Sequence, residues 1–195
     1  MRLIAAGLLI LGALAAVGFA HREQRVREQD RLAAVASDLA GRRVGVRCPG
    51  FLGSLVNVRT EGGSVQFDGD GRPASSTTLS PETCKSLRRI DRFDFSCLRG
   101  GDCTFKQFRT AWAVHTLAHE SFHLRGISSE AMAECYALQN TAFVAERLGV
   151  DGATAQRLQR WVYVRGYPNE PDEYRSDQCR DGGELDLRPG SPVFP

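Results

Sequence analysis

His119-Glu120-Ser121-Phe122-His123 sets two histidines four positions apart in a chain that has four histidines in all. On a helix, residues i and i+4 lie one above the other on one face, about 6 Å apart, so both imidazoles can reach one point. That requirement fixes a helix here, expected over about Thr104–Arg125 with Phe105, Phe108, Trp112 and Leu117 among its packing residues. Gly126 follows, able to take the left-handed conformation that ends a helix and turns the chain back. Ser128 or Ser129 can cap a second helix beginning near Glu130. The layout is helix, glycine turn, helix, with a carboxylate in the first turn of the second helix.

A catalytic zinc ion takes three protein ligands and keeps its fourth position for water. His119 and His123 supply two, Glu130 is placed to supply the third, and Glu120 is set to point its carboxylate at the water. HExxH by itself is short enough for an ordinary amphipathic helix to carry it by accident. The downstream carboxylates Glu130 and Glu134 are what raise it above that level. His115, one turn upstream, is open to three readings: a group behind the ligands, a substrate contact, or a histidine partly buried near Trp112.

The stretch around these residues resembles the zincin metallopeptidases that use a glutamate as third ligand (gluzincin-like). Their second motif often reads E-x-x-A-D or E-x-x-A-E, as Glu130-Ala131-Met132-Ala133-Glu134 does. The run Ala133-Glu134-Cys135-Tyr136-Ala137 is also similar to the A-D-C-x-A run of bacterial neutral zinc metallopeptidases. The resemblance covers about thirty residues and no more of the chain. It implies Zn²⁺ as cofactor, Glu130 as ligand, and Glu134 orienting a ligand histidine, with Glu134 as the alternative ligand. It also implies hydrolysis of a peptide or protein substrate, with Glu120 as general base. The fold it implies is α+β and zincin-like, mainly helical around the site.

Two features depart from that pattern. The gap from His123 to Glu130 is much shorter than in thermolysin-like enzymes, so the two helices must meet at a sharp angle. Gly126, three residues after His123, is similar instead to metzincins, HExxHxxGxxH; their third ligand would fall on Ser129, which is no normal zinc ligand. A donor for the reaction's oxyanion has no motif of its own, leaving Tyr136, Tyr163, Tyr167, Tyr174 and Arg125 as candidates. Two rival readings stand beside hydrolysis: a metal held only for structure or binding, and an exported interaction domain with an accidental motif.

The compartment is argued from the amino terminus and the cysteines. An apolar run from Leu3 to Ala20 follows Met1-Arg2, and Gly18-Phe19-Ala20 offers the small residues a signal peptidase reads. The run is at the lower limit for spanning a bilayer, so residues 1–20 read as a signal peptide or a retained anchor. Arg22, Arg25 and Arg27 follow it, and the positive-inside rule counts against leaving them outside. Cys48, Cys84, Cys97, Cys103, Cys135 and Cys179 form an even set without the C-x-x-C pairs of a zinc finger or redox site. In an oxidising compartment they would form up to three disulfides. Cys97 with Cys103 across a short loop, Cys135 with Cys179, and Cys48 with Cys84 is one of fifteen pairings. The expected location is extracytoplasmic, secreted or anchored.

The rest of the chain frames these features. Residues 21–43 read as a helical stalk, with Val26, Leu32, Val35 and Leu39 at near-helical spacing, and residues 44–195 as the domain. A small N-terminal β region is expected, with strand and turns over Arg43–Val58 and alternation over Ser64–Phe67. Asp68-Gly69-Asp70-Gly71 reads as a turn, since it lacks the remaining ligands of a calcium loop. Helices are expected from Pro81 to about residue 91, over Glu130–Leu148 carrying Leu138, Phe143 and Leu148, and near Thr154–Val164. An irregular tail would then be pinned by Cys179. At 195 residues with 42% hydrophobic content, one true core can form. The formal net charge of +2 gives no warrant for nucleic-acid binding, and Arg42-Arg43 and Arg88-Arg89 read as solvated surface.

Overall fold

Helix α1 spans Arg2–Ala40. The structure, a computed structural model, describes residues 2–49, 62–100, 102–191 and 193–195, with side chains from residue 18 onward. Leu32, Val35, Ala36, Leu39 and Ala40 recur at helical spacing and are all buried, while residues 21–27 are exposed. From Leu32 onward this helix therefore belongs to the folded core and does not stand clear as a stalk. It packs on the site-bearing helix α3 (Phe105–Leu124) and on strand β1 (Gly45–Arg47). Among the described residues no helix is long and apolar enough to cross a membrane. Most of the apolar run Leu3–Ala20, on which the signal or anchor reading rests, lies outside the described side chains.

The sheet is small and mixed. Strands β1, β2 (Gly63–Ser64) and β3 (Ser76–Leu79) lie in the order β1-β3-β2, with β1 parallel and β2 antiparallel to β3. Val46, Thr77 and Leu79 are buried. Between β2 and β3, Asp68 Oδ1 accepts the backbone N–H groups of Asp70 (3.0 Å) and Arg72 (2.8 Å), and Phe67 bridges to Pro73. The Asp68 carboxylate is thus taken up by its own turn. Residues 50–58 of the expected strand-and-turn stretch lie outside the described residues.

Among the described residues five α-helices follow. α2 (Pro81–Leu87) starts on a Ser80 cap with proline at its first position. A capping box, Thr104 with Gln107, opens α3 one residue from its expected start. α4 (Glu130–Leu138), α5 (Thr141–Arg147) and α6 (Gly152–Trp161) complete the set, and α6 runs into a π-helical turn at Val162–Gly166. The single helix expected over Glu130–Leu148 is broken at Gln139-Asn140. There the Ala142 N–H bonds Gln159 Oε1 at 2.9 Å, and the Gln139 carbonyl accepts from Arg188 at 3.0 Å. Two long-range side chains have replaced helical hydrogen bonds, and no local pattern announces them.

The disulfides are Cys48–Cys84, Cys97–Cys103 and Cys135–Cys179, the expected pairing. The first and third close loops with sequence separations of 36 and 44 residues. By loop-closure entropy each contributes about 4 kcal/mol against unfolding. The third ties α4 to the irregular tail.

Candidate metal centre

The turn after α3 sets the site. Gly126 has φ 106°, its N–H bonds His123 O at 2.9 Å, and the Ile127 N–H bonds Phe122 O at 3.2 Å. This pair of bonds closes a Schellman motif, in which a residue with a Cβ at position 126 would be strained. The reversed chain returns the Ile127 carbonyl to His123 Nδ1 at 2.7 Å. Ser129 then caps α4, accepting from the Met132 N–H, and Glu130 falls at its first position facing back to α3. A seven-residue gap suffices because the two helices meet across a glycine.

His119, His123 and Glu130 converge. His119 Nε2 lies 2.8 Å from His123 Nε2, and Glu130 Oε2 lies 3.0 and 3.1 Å from these two nitrogens. Three ligands at zinc-bond lengths of 2.0–2.1 Å in tetrahedral array would stand about 3.3 Å apart. The protons decide what fills the centre. His123 donates its Nδ1 proton to Ile127 O, and His119 donates its own to Glu134 Oε2 at 2.9 Å. When neutral, each ring therefore turns an Nε2 lone pair on the other and on a carboxylate oxygen. Such an arrangement calls for positive charge at its centre, a proton or a cation. The same demand lifts His119 to about 10: burial opposes its charge, but Glu130 and Glu134 outweigh it. The donor set fits a divalent metal, and it is the one group of three or more metal-ligating side chains among the described residues.

Glu134 stands behind His119, away from that centre. Its Oε1 meets His115 Nε2 at 2.8 Å and its Oε2 meets His119 Nδ1. Both its oxygens are engaged with histidines, and the group that could hold a metal is His119, His123 and Glu130. Burial works against the Glu134 charge, yet the two histidines hold its carboxyl down at about 2. His115 is fully buried with its ring 4.9 Å from that of Trp112, and it orients Glu134 as well.

Glu120 lies under the sheet. Its Oε2 is 3.2 Å from Thr77 Oγ1 on β3. Gly63 on β2 passes so close that a Cβ there would sit 2.7 Å from Glu120 Cγ and 2.8 Å from Oε1. Burial pushes the Glu120 carboxyl up to about 7, with His119 and Thr77 acting in the opposite sense.

These groups open onto a cleft of roughly 320 Å³. It is lined by Gly63 and Ser64 of β2 with Val65 and Phe67 beyond them, by Trp112, Thr116 and the motif residues of α3, and by Glu170, Pro171 and Tyr174. Among the five oxyanion candidates only Tyr174 lines it, with its ring 5.8 Å from His119. Tyr167 OH instead accepts the Ser176 N–H at 2.8 Å and closes the loop that carries Tyr174. Tyr163 stacks on Tyr167, Tyr136 packs on Phe122, and Arg125 is exposed past the end of α3. Burial and then Glu130 push the Tyr174 phenol up to about 12, so it keeps its proton at neutral pH. Gly63, Thr77 and Pro171 carried no signal in the sequence, because long-range packing alone brings them here. Comparison with known protein families, curated proteins and solved structures finds no match for this chain.

Proposed function

We infer that this chain is an exported zinc-dependent hydrolase of peptide bonds. The carrying observation is the meeting of two Nδ1-anchored imidazoles and one carboxylate within 3.1 Å, beside the buried Glu120 and at the base of an open cleft. His119, His123 and Glu130 are the residues that would hold the ion. Bound zinc supplies a Lewis acid for the scissile carbonyl and a water acidic enough to react near neutral pH.

The chain's own side chains divide the remaining work. The Glu120 carboxylate accepts the proton of the attacking water and returns it to the departing amine. The Tyr174 phenol donates to the oxygen on which negative charge develops. Among the described residues β2 is an edge strand bordering the cleft, which suits an extended peptide laid along it. Three disulfides support an oxidising, extracytoplasmic compartment. Residues 1–20 are the export element, either removed after Ala20 or kept as an anchor.

Glu120→Gln tests the reading, since it keeps the ligands and removes the base. It is expected to bind zinc like the parent and to hydrolyse a mixed peptide pool roughly 10²–10⁴-fold more slowly. Full activity in that variant refutes the mechanism. Zinc binding without hydrolysis in the parent refutes the enzyme reading and leaves a metal-binding module.

A further inference from the structure

We propose that His115 is a positioning residue for the metal centre, acting on the ligand His119 through the Glu134 carboxylate that the two histidines share. The inference rests on the metal reading above and extends it one residue outward.

Three observations carry it. His115 and His119 sit one turn apart on α3, and a single carboxylate from α4 spans both, with Oε1 on His115 Nε2 at 2.8 Å and Oε2 on His119 Nδ1 at 2.9 Å. The side chains of His115 and Glu134 are 2% and 3% exposed, so water does not compete for these bonds. The far side of His115 is fixed too: its Nδ1 is 3.2 Å from Thr141 Oγ1, and that hydroxyl bonds Ala137 O at 2.9 Å.

Proton accounting makes the chain directional. An ionised carboxylate only accepts, so His115 must present an N–H to Oε1 and His119 must present one to Oε2. In the neutral ring, the form a metal ion takes, that assignment leaves the Nε2 of His119 as a lone pair turned toward His123 and Glu130. Without His115, Glu134 loses one of its two donors inside a dry pocket, and nothing in the described surroundings holds its plane. Rotation about its last bond then takes Oε2 away from His119 Nδ1. Partners behind metal-bound histidines typically govern metal affinity by about 10–100-fold.

The Trp112 ring packs on His115, and Gly166 lies against Trp112 so closely that a Cβ at Gly166 would meet the indole at 2.3 Å. These contacts hold the imidazole in place but supply no proton to Glu134. A structural role for His115 and a positioning role therefore part company in what replaces it. Glutamine can present an amide N–H where Nε2 stands; asparagine is too short and reaches toward Thr141 instead.

The experiment measures Co²⁺ affinity of the full-length chain, with disulfides intact, by competition with a chelator. Compared are the parent, His115→Gln, His115→Asn, His115→Ala, Glu134→Ala and the His115→Ala/Glu134→Ala pair. The expected result is a loss of about tenfold or more for the Asn and Ala variants and recovery of most of it by Gln. The double variant should bind no more weakly than Glu134→Ala alone, since His115 acts only through Glu134. Equal affinity of all His115 variants and the parent overturns the proposal, and so does a double variant whose losses add. If His115→Ala does not fold, the contrast between Gln and Asn decides the matter. A parent that takes up no cobalt overturns the metal reading itself, and this inference with it.

Discussion

Gly63→Ala should disable the site without touching a ligand. The new methyl would stand 2.7 Å from Glu120 Cγ, 2.8 Å from Oε1 and 2.9 Å from Cδ, whereas carbon atoms in ordinary contact stay about 3.5–4.0 Å apart. The overlap is therefore about 1 Å. Neither side yields easily: β2 is registered on β3 through Gly63↔Leu79 and Ser64↔Thr78, and Glu120 rises from the buried face of α3. Overpacking of this kind costs about 1–3 kcal/mol, and a 1 Å misplacement of a reacting group costs on the order of 100-fold in rate. The assay pairs turnover of a fluorogenic peptide pool with zinc content and thermal midpoint. Expected are a fall in kcat/KM of about 100-fold, unchanged zinc, and a midpoint a few degrees lower. Gly69→Ala serves as control, because nothing lies within 4 Å of a Cβ there. Parental turnover in Gly63→Ala would refute the placement of Glu120 as the reacting base under the β2 edge.

Tyr174→Phe should lower kcat by roughly 10²-fold with zinc content unchanged, the size expected for one lost oxyanion donor; an unchanged kcat removes Tyr174 from the chemistry. Tyr167→Phe should give a smaller loss in the same direction, because its hydroxyl closes the loop that carries Tyr174 and its effect should vanish in a Tyr174→Phe background. Replacing Cys135 and Cys179 together by alanine should cost about 2–5 kcal/mol in chemical denaturation and free the Tyr174 side of the cleft; a stability equal to the parent's contradicts this. Asp151 caps α6, and its bonds to Thr154 hold its carboxyl below the ordinary 3.8. A folded-state pKa that is depressed stabilises above the unfolded value and is lost as pH falls through the folded one. The gap in thermal midpoint between the parent and Asp151→Ala should therefore narrow as pH drops below about 4, and a constant gap would contradict this.

The parts legible in the sequence are those whose partners are close along the chain. The HExxH spacing, Gly126 and Ser129 together define α3, its turn and the start of α4, and the structure brings Glu130 to both histidines as that reading expects. The cysteine pairing was one choice among fifteen, suggested by the short Cys97–Cys103 loop and by Cys135 lying beside the ligands, and nothing local excluded the others. What escaped depends on distant contacts. The break at Gln139-Asn140 comes from Gln159 and Arg188. The lid on Glu120 is a glycine far upstream, and the Tyr174 side of the cleft comes from a tail without periodicity, held by Cys135–Cys179. α1 looked like a stalk because arginines and acids dominate its outer face, although Leu32, Val35, Ala36 and Leu39 turn inward. His115 was read from its step of four before His119 with three roles left open, because nothing local shows that Glu134 would reach both.

The most direct test of the central claim is metal stoichiometry, measured by elemental analysis after folding with the disulfides formed and dialysis against trace zinc. The account predicts one zinc per chain in the parent and in Glu120→Gln, and none in His119→Ala or His123→Ala. A parent chain without zinc, or a His119→Ala variant that retains it, would contradict the account.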